Sequence, residues 1–136
     1  MADAVRRLGT SSWDLILPVP LHIRRQRQRG FNQSALLAVQ VSKLLKIPMG
    51  SSDCVRIRDT RPQTGLRAAE RRKNVAGAFH VPHPERLRAL RVLLLDDVLT
   101  TGATVNACAQ ALLEANVQAV WVATLARANL TSSDIL

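Results

Sequence analysis

The segment from Val92 to Thr104 is the part of the sequence that most constrains the fold. It starts as a continuous aliphatic run, passes through Asp96 and Asp97, and continues into a loop of small residues that leads to a helix. A continuous aliphatic run is typical of a parallel strand that is buried on both faces of a sheet. Because ligands of open parallel sheets bind at the carboxyl ends of the strands, this segment predicts a binding site.

The loop after the two aspartates has the residues of an anion site. Thr100, Thr101 and Thr104 supply hydroxyls and backbone N–H groups at the predicted start of a helix, where the positive dipole end favours a phosphate. Gly102 lets the backbone turn closely around a bound group. The two upstream carboxylates would face the same crevice and can accept hydrogen bonds from vicinal sugar hydroxyls. The segment therefore predicts a site for a phosphorylated sugar.

Strands and helices alternate along the chain. The alternation implies right-handed crossovers and an open, mostly parallel sheet with helices on both faces. The length of 136 residues suits a single domain, 1–136. The predicted strands lie at 14–20, 54–58, 79–81, 91–95 and 120–125, and the fourth of them ends in the two aspartates. The first predicted helix is capped by Asn32, and its apolar face consists of Leu37, Val41, Leu44 and Leu45. The second opens at Thr104 and stops at Asn116, and its apolar face consists of Val105, Cys108, Ala109, Leu112 and Leu113.

The charge of the chain predicts an anionic ligand. The sequence has 19 Lys and Arg against 10 Asp and Glu, a net charge of +9, and all of the cations except Lys43, Lys46 and Lys73 are arginines. The planar guanidinium suits phosphate oxygens, so phosphorylated small molecules and nucleic acid both remain open. Aromatic residues make up only 3% of the chain, which counts against single-strand binding by base stacking.

Several other classes of protein are excluded by what the sequence lacks. No Gly-x-x-x-x-Gly-Lys-Ser/Thr pattern is present and no Gly-x-Gly-x-x-Gly follows a strand, so nucleoside triphosphate and dinucleotide sites are not expected. Cys54 and Cys108 are too few for a disulfide framework or a four-ligand zinc site and are predicted to be ordinary buried thiols without a redox role. No apolar run reaches the roughly 18 residues of a membrane helix. We expect a cytoplasmic protein without membrane insertion.

The thirteen residues from 92 to 104 resemble the phosphoribosyl diphosphate (PRPP) signature of type I phosphoribosyltransferases, which has four apolar residues, two acids and a Thr-Gly loop. The resemblance implies a type I phosphoribosyltransferase-like α/β fold. It also implies that Asp96 and Asp97 hold the ribose hydroxyls and that Mg²⁺ approaches these acids through substrate oxygens. The residues that would hold the 5′-phosphate are Thr100, Thr101, Gly102, Ala103 and Thr104.

The resemblance narrows to the ComF-like branch, named for competence protein F, through the segments 18–22, 29–33 and 58–64. By position, the turn containing His22, Arg24 and Arg25 is similar to the loop that holds the diphosphate in this fold; the alternative is that these arginines, with Arg27 and Arg29, form a solvated face. The segment 58–74 corresponds to a flexible loop that closes over substrate, with Arg71 and Lys73 as its candidate site residues. The alternative there is an exposed basic helix face of Arg67, Arg71, Arg72 and Lys73.

Two functions follow from these features. One is binding of PRPP with Mg²⁺ and transfer of its phosphoribosyl group, with release of diphosphate, to an acceptor that the sequence does not identify. The other is a non-catalytic accessory role in DNA uptake, in which the basic loops contact DNA or a DNA-uptake protein. A homo-oligomer is compatible with either function. ComF-like proteins commonly carry an amino-terminal zinc ribbon of cysteines, and this sequence does not contain one.

Overall fold

A computed structural model describes residues 12–59, 65–99 and 102–127. Strands and helices alternate through these ranges, as the sequence predicts. The elements in chain order are β1 (Leu15–Pro18), α1 (Ile23–Arg29), α2 (Gln33–Leu45), β2 (Val55–Arg56), α3 (Ala68–Val75), β3 (Phe79–His80), α4 (Pro84–Leu87), β4 (Arg91–Leu99), α5 (Ala103–Glu114) and β5 (Ala119–Arg127). No helix of the described ranges is long and apolar enough to cross a membrane.

Three strands form an open parallel sheet in the order β1-β4-β5. Leu17 of β1 lies opposite Leu94 of β4, and Leu94 lies opposite Val122 of β5. The two-residue strands β2 and β3 pair antiparallel as a separate ribbon. The predicted parallel sheet is confirmed, whereas the strands predicted at 54–58 and 79–81 are shorter than expected.

The central strand β4 is buried on both faces and separates two apolar clusters. Leu93 and Leu95 pack in one cluster with Ala38 and Val41 of α2. Val92 and Leu94 pack in the other cluster, which includes Val105, Cys108 and Leu112 of α5. Successive side chains of a strand point to opposite faces, so the continuous aliphatic run supplies both cores and the two helices cover opposite faces of the sheet, as predicted.

Both long helices present a slightly different face to the sheet than predicted. Leu44 of α2 is 54% exposed and Leu113 of α5 is 49% exposed. Each lies one position away from the buried stripe, about 100° around the helix. The stripe of α2 instead contains the small residues Ser34 and Ala38, which bring the start of this helix close to β4.

The ends of β4 and α5 also differ from the prediction. β4 does not end at the aspartates, because its pairing with β5 continues through Asp96 to Leu99. α5 begins at Ala103, one residue before the predicted Thr104, and Gly102 precedes it with a φ of +83°. Asn116 has a φ of +64°, which confirms the predicted left-handed stop. Thr100 and Thr101 lie outside the described residues.

Candidate functional site

The carboxyl end of β4 and the start of α5 line a cleft of about 220 Å³. The lining brings together both predicted acids, the described part of the predicted phosphate loop and two cations. These residues are Asp96, Asp97, Gly102, Ala103 and Thr104, with Ser34, Arg29 and Arg56. The cleft therefore combines carboxylate acceptors, backbone donors at a helix start and guanidinium groups within one space.

Asp96 is held from two sides. Its Oδ1 accepts a hydrogen bond from the Ser34 hydroxyl at 3.0 Å and another from the backbone N–H of Asp97 at 2.9 Å. Asp97 is held in the same manner, since its Oδ1 accepts from the backbone N–H of Val98 at 2.9 Å. These contacts orient both carboxylates before any ligand binds.

The start of α2 places Ser34 against Asp96. The side chain of Asn32 caps the helix by accepting from the Ser34 N–H at 3.0 Å, as the sequence predicts. Its amide also donates to the carbonyl of Val19 at 3.1 Å, which ties the helix start to the end of β1. Both Asn32 and Ser34 are buried, so the Ser34 hydroxyl has a fixed direction.

The pKa of Asp96 is raised from 3.8 to about 6, chiefly by burial and in second place by the neighbouring Asp97 carboxyl. The hydrogen bonds from Ser34 and from the Asp97 N–H act in the opposite direction because they favour the charged form. At neutral pH Asp96 is therefore a charged and partly desolvated acceptor. A hydroxyl group that enters the cleft would stabilise this carboxylate by donating a hydrogen bond to it.

We expect Ser34→Ala to raise the pKa of Asp96 above about 6, because the variant removes a donor to the charged carboxylate. Carbon-13 NMR of the aspartate carboxyls, followed through a pH titration, measures this directly. Ser42→Ala is the matched control, since Ser42 lies on the same helix and donates to the carbonyl of Ile47 instead. An Asp96 pKa that stays the same in Ser34→Ala would contradict the assigned contact.

Arg56 is the buried cation of the cleft. It is 8% exposed, and its guanidinium lies 5.3 Å from the ring centroid of Phe79. Burial, followed by the charge of Arg25, lowers the pKa of Arg56. The side chain was not among the predicted site residues. The sequence did contain an indication of its position: side chains alternate between the faces of a strand, so Arg56 lies on the same inward face as Cys54.

The predicted diphosphate loop takes a different form. His22, Arg24 and Arg25 do not lie in an open turn: His22 caps the helix α1, and its Nδ1 accepts from the Arg24 N–H at 3.2 Å. Arg24 and Arg25 lie 3.6 Å and 3.8 Å from carboxylate oxygens of Asp59. None of the three lines the cleft in the described part of the chain. The helix forms because His22 satisfies a free N–H at its start and Gly30 closes its end with a φ of +79°.

The predicted flexible loop is partly helical. Arg71 is 8% exposed and shares the buried face of α3 with Ala68 and Val75, so the predicted exposed basic face is wrong for Arg71 and holds for Lys73. The reason is that α3 packs against α5, which covers one side of the helix. In the described part of the chain, neither Arg71 nor Lys73 is among the residues that line the cleft. Residues 60–64 of the predicted loop lie outside the described ranges.

The acids fit a metal ion only in combination with a ligand. Within 12–59, 65–99 and 102–127, no group of three or more His, Cys, Asp or Glu residues could hold a metal. Asp96 and Asp97 supply hard oxygen donors, and Mg²⁺ usually binds through one or two carboxylates together with substrate phosphates. The donor set therefore fits a Mg²⁺ ion whose remaining ligands come from a bound substrate and water.

Comparison with known proteins agrees with this geometry. A model of the phosphoribosyl transferase domain matches residues 32–135. Competence protein F of Haemophilus influenzae is 40% identical over 127 residues, which cover 93% of this chain and 56% of that protein. DNA utilization protein YhgH of Salmonella typhimurium is 39% identical over 124 residues, which cover 91% of this chain and 54% of that protein. The chain thus spans about half the length of these curated relatives.

Solved structures of phosphoribosyltransferases have a similar fold. The purine phosphoribosyltransferase from Pyrococcus horikoshii superposes with a TM-score of 0.54 and 18% identity, over 93% of this chain and 66% of that one. At this identity the likeness concerns the fold alone. The family match over residues 32–135 and the curated relatives give the narrower assignment: the chain belongs to the phosphoribosyl transferase domain family, in the ComF-like branch that contains competence protein F.

Proposed function

We propose that the cleft binds PRPP together with Mg²⁺. The observation that supports this most strongly is the arrangement of Asp96 and Asp97 in the carboxyl-terminal half of β4, in one cleft with the start of α5 at Gly102–Thr104. Membership of the phosphoribosyl transferase domain family supports the same ligand.

Each part of the ligand has a matching group in the cleft. The backbone N–H groups at the start of α5 and the Thr104 hydroxyl bind the 5′-phosphate, because N–H donors and the positive dipole end of a helix start favour a phosphate. Asp96 and Asp97 accept hydrogen bonds from the two ribose hydroxyls. Asp96 is oriented for this role by Ser34, because the Ser34 hydroxyl and the Asp97 N–H both donate to its Oδ1.

The diphosphate lies toward the basic side of the cleft in this proposal. Arg29 and Arg56 line the same cleft as the acids, and their guanidinium groups neutralise phosphate oxygens. Mg²⁺, when bound, supplies further neutralisation of the diphosphate. The cleft therefore separates two tasks: carboxylates orient the sugar, and cations stabilise the group that leaves.

The same arrangement supports transfer of the phosphoribosyl group. The bond between the anomeric carbon and the diphosphate oxygen breaks, and the diphosphate keeps the electron pair. The acceptor forms a new bond to the anomeric carbon and releases its proton to solvent. Arg29 and Arg56 contribute by stabilising the negative charge that develops on the diphosphate, which is the usual major contribution of fixed charges to such reactions.

A pair of sugar phosphates tests the proposed role of the acids separately from that of the phosphate loop. Ribose 5-phosphate and 2-deoxyribose 5-phosphate share the phosphate and differ by one hydroxyl. We expect the deoxy sugar to bind about 10- to 100-fold more weakly in calorimetric titrations, since a hydrogen bond to a charged group contributes about 1.5–3 kcal/mol. Equal affinities would contradict the assignment of the acids to the ribose hydroxyls.

A second candidate function, binding of DNA, is favoured by the surface of α1. This seven-residue helix carries Arg24, Arg25, Arg27 and Arg29, has no acidic residue in its first turn and has no buried residue. A basic helix without buried residues can approach a DNA backbone without any change in the core. The relatives named for competence and for DNA utilization support this candidate.

We expect Arg24→Gln combined with Arg27→Gln to weaken DNA binding and its dependence on salt. Each lost phosphate contact should reduce the slope of log affinity against log salt by about 0.9, which fluorescence anisotropy with duplex DNA at several salt concentrations measures. Arg86→Gln with Arg88→Gln, at and just after the end of α4, is the control with the same change of charge. Equal effects of the two double variants would contradict a specific role of α1.

A further inference from the structure

The two cysteines of the chain meet in the core. Cys54 lies directly before β2 and Cys108 lies in the middle of α5, and their sulfur atoms are 3.6 Å apart. Cys54 is 4% exposed and Cys108 is fully buried. The burial that the sequence predicts is confirmed, but separation along the chain gave no indication that the thiols touch.

The surrounding structure allows this contact to become shorter. A disulfide has a sulfur–sulfur distance of about 2.05 Å, so the two side chains must approach by about 1.5 Å. Cys108 is anchored, because α5 packs through Val105 and Leu112 into the large cluster. Cys54 is joined to β2, which pairs with β3 over only two residues. Short elements with few hydrogen bonds open and shift at low cost in free energy.

Cys54 is also the more accessible of the two thiols, at 4% exposure against 0% for Cys108. It lines a second cleft of about 230 Å³, together with Ile23, Gln26 and Ser51. The hydrogen bond with Cys108 lowers the pKa of the Cys54 thiol, whereas the same contact and burial raise the pKa of Cys108. The two thiols are therefore not equivalent, and Cys54 has the chemistry of an attacking thiolate.

We propose that Cys54 and Cys108 are a redox modification site, which forms a reversible intramolecular disulfide by exchange with a low-molecular-weight disulfide. The Cys54 thiolate attacks one sulfur of the small disulfide, and the first small thiol leaves with the bonding electron pair. Cys108 then loses its proton and attacks the Cys54 sulfur, which releases the second small thiol. The protein dithiol is oxidised and one small disulfide is reduced to two thiols, so the exchange balances without another reactant.

The bond would connect two walls of the functional cleft. Arg56 follows Cys54 by two residues, and Thr104 precedes Cys108 by one helical turn; both line that cleft. Oxidation would hold β2 against α5 and fix the distance between these walls. This inference rests on the position of the thiols and not on the identity of the cleft's ligand.

Equilibration of the full chain in glutathione redox buffers tests the site. The fraction of disulfide is measured after acid quench, alkylation of the remaining thiols and peptide mass spectrometry, once for the folded protein and once in denaturant. We expect the equilibrium constant for formation of the Cys54–Cys108 disulfide to be about 30- to 1,000-fold larger for the folded chain. The oxidised protein should also melt roughly 5–15 °C higher than the reduced protein, and a dithiol should reverse this change.

An equilibrium constant that is equal in the two states, or smaller for the folded chain, would overturn the proposal. Mixed disulfides with glutathione or linked dimers as the only products would overturn it as well. Both measurements use the wild-type chain, so an unstable variant does not affect them. Cys54→Ala and Cys108→Ala serve as controls for the mass spectrometry, because each must remove the linked peptide.

Discussion

Replacing Asp96 and Asp97 together by asparagine is expected to weaken PRPP binding by at least about 100-fold. A hydrogen bond to a charged acceptor contributes about 1.5–3 kcal/mol. The loss of two such hydrogen bonds lowers the affinity by about two powers of ten or more. The fold should be retained, because asparagine has the same shape and its Oδ1 can still accept from Ser34. Calorimetric titration of the variant and the wild type with PRPP in the presence of Mg²⁺ measures the difference.

The control for this variant removes the same charge elsewhere. Glu85→Gln with Glu114→Gln changes the net charge by the same amount, and neither residue lines the functional cleft. We expect the control variant to bind PRPP as the wild type does. A similar loss of affinity in both double variants would mean that net charge matters and the cleft acids do not. Unchanged affinity in the aspartate variant would contradict the proposed site.

The single variant Asp96→Asn is expected to stabilise the unliganded fold by up to about 3 kcal/mol at pH 7.5. The pKa of Asp96 rises from 3.8 to about 6 in the folded chain, and each pKa unit corresponds to about 1.36 kcal/mol. The charged form is thus a cost to the fold at neutral pH, and the isosteric neutral amide removes that cost. The residue that the proposed function needs most is therefore expected to lower stability.

The dependence of this gain on pH follows from the direction of the pKa change. Below pH 3.8 Asp96 is protonated in both states, so its charge has no effect on the free energy of unfolding. Between pH 3.8 and about 6 the unfolded chain loses the proton first, and the cost to the fold increases with pH. Above about 6 the cost is complete. Urea unfolding of the wild type and Asp96→Asn at pH 4.5 and pH 7.5 should show a small gain at the lower pH and the full gain at the higher one. Equal gains, or a less stable variant at pH 7.5, would contradict the assigned environment of Asp96.

The central part of the site could be predicted because its residues are neighbours in the sequence. Asp96 and Asp97 lie on β4 and Gly102–Thr104 lie at the start of α5, so the aliphatic run of β4 is enough to place them at the carboxyl edge of the sheet. The parallel arrangement followed in the same way from the spacing of the aliphatic runs. The extension of β4 to Leu99 did not, because it depends on the length of the partner β5.

The contacts that complete the site could not be predicted, because they join distant elements. Ser34 reaches Asp96 across 62 positions of sequence, and nothing in either segment indicates the other. Arg71 has the pattern of an exposed cation and is buried only because α3 packs against α5. Arg56 reaches the functional cleft through the separate ribbon of β2 and β3. In each case tertiary packing overrides a local signal.

The most direct test of the proposed function is a calorimetric titration of the wild-type chain with PRPP, performed with and without Mg²⁺. We predict saturable binding at one site that depends on Mg²⁺, with a rise in melting temperature. PRPP at about 100 times its dissociation constant should stabilise the fold by about 2.7 kcal/mol. A folded sample that shows neither heat of binding nor a change in melting temperature, with Mg²⁺ present, would contradict the assignment of the cleft to PRPP.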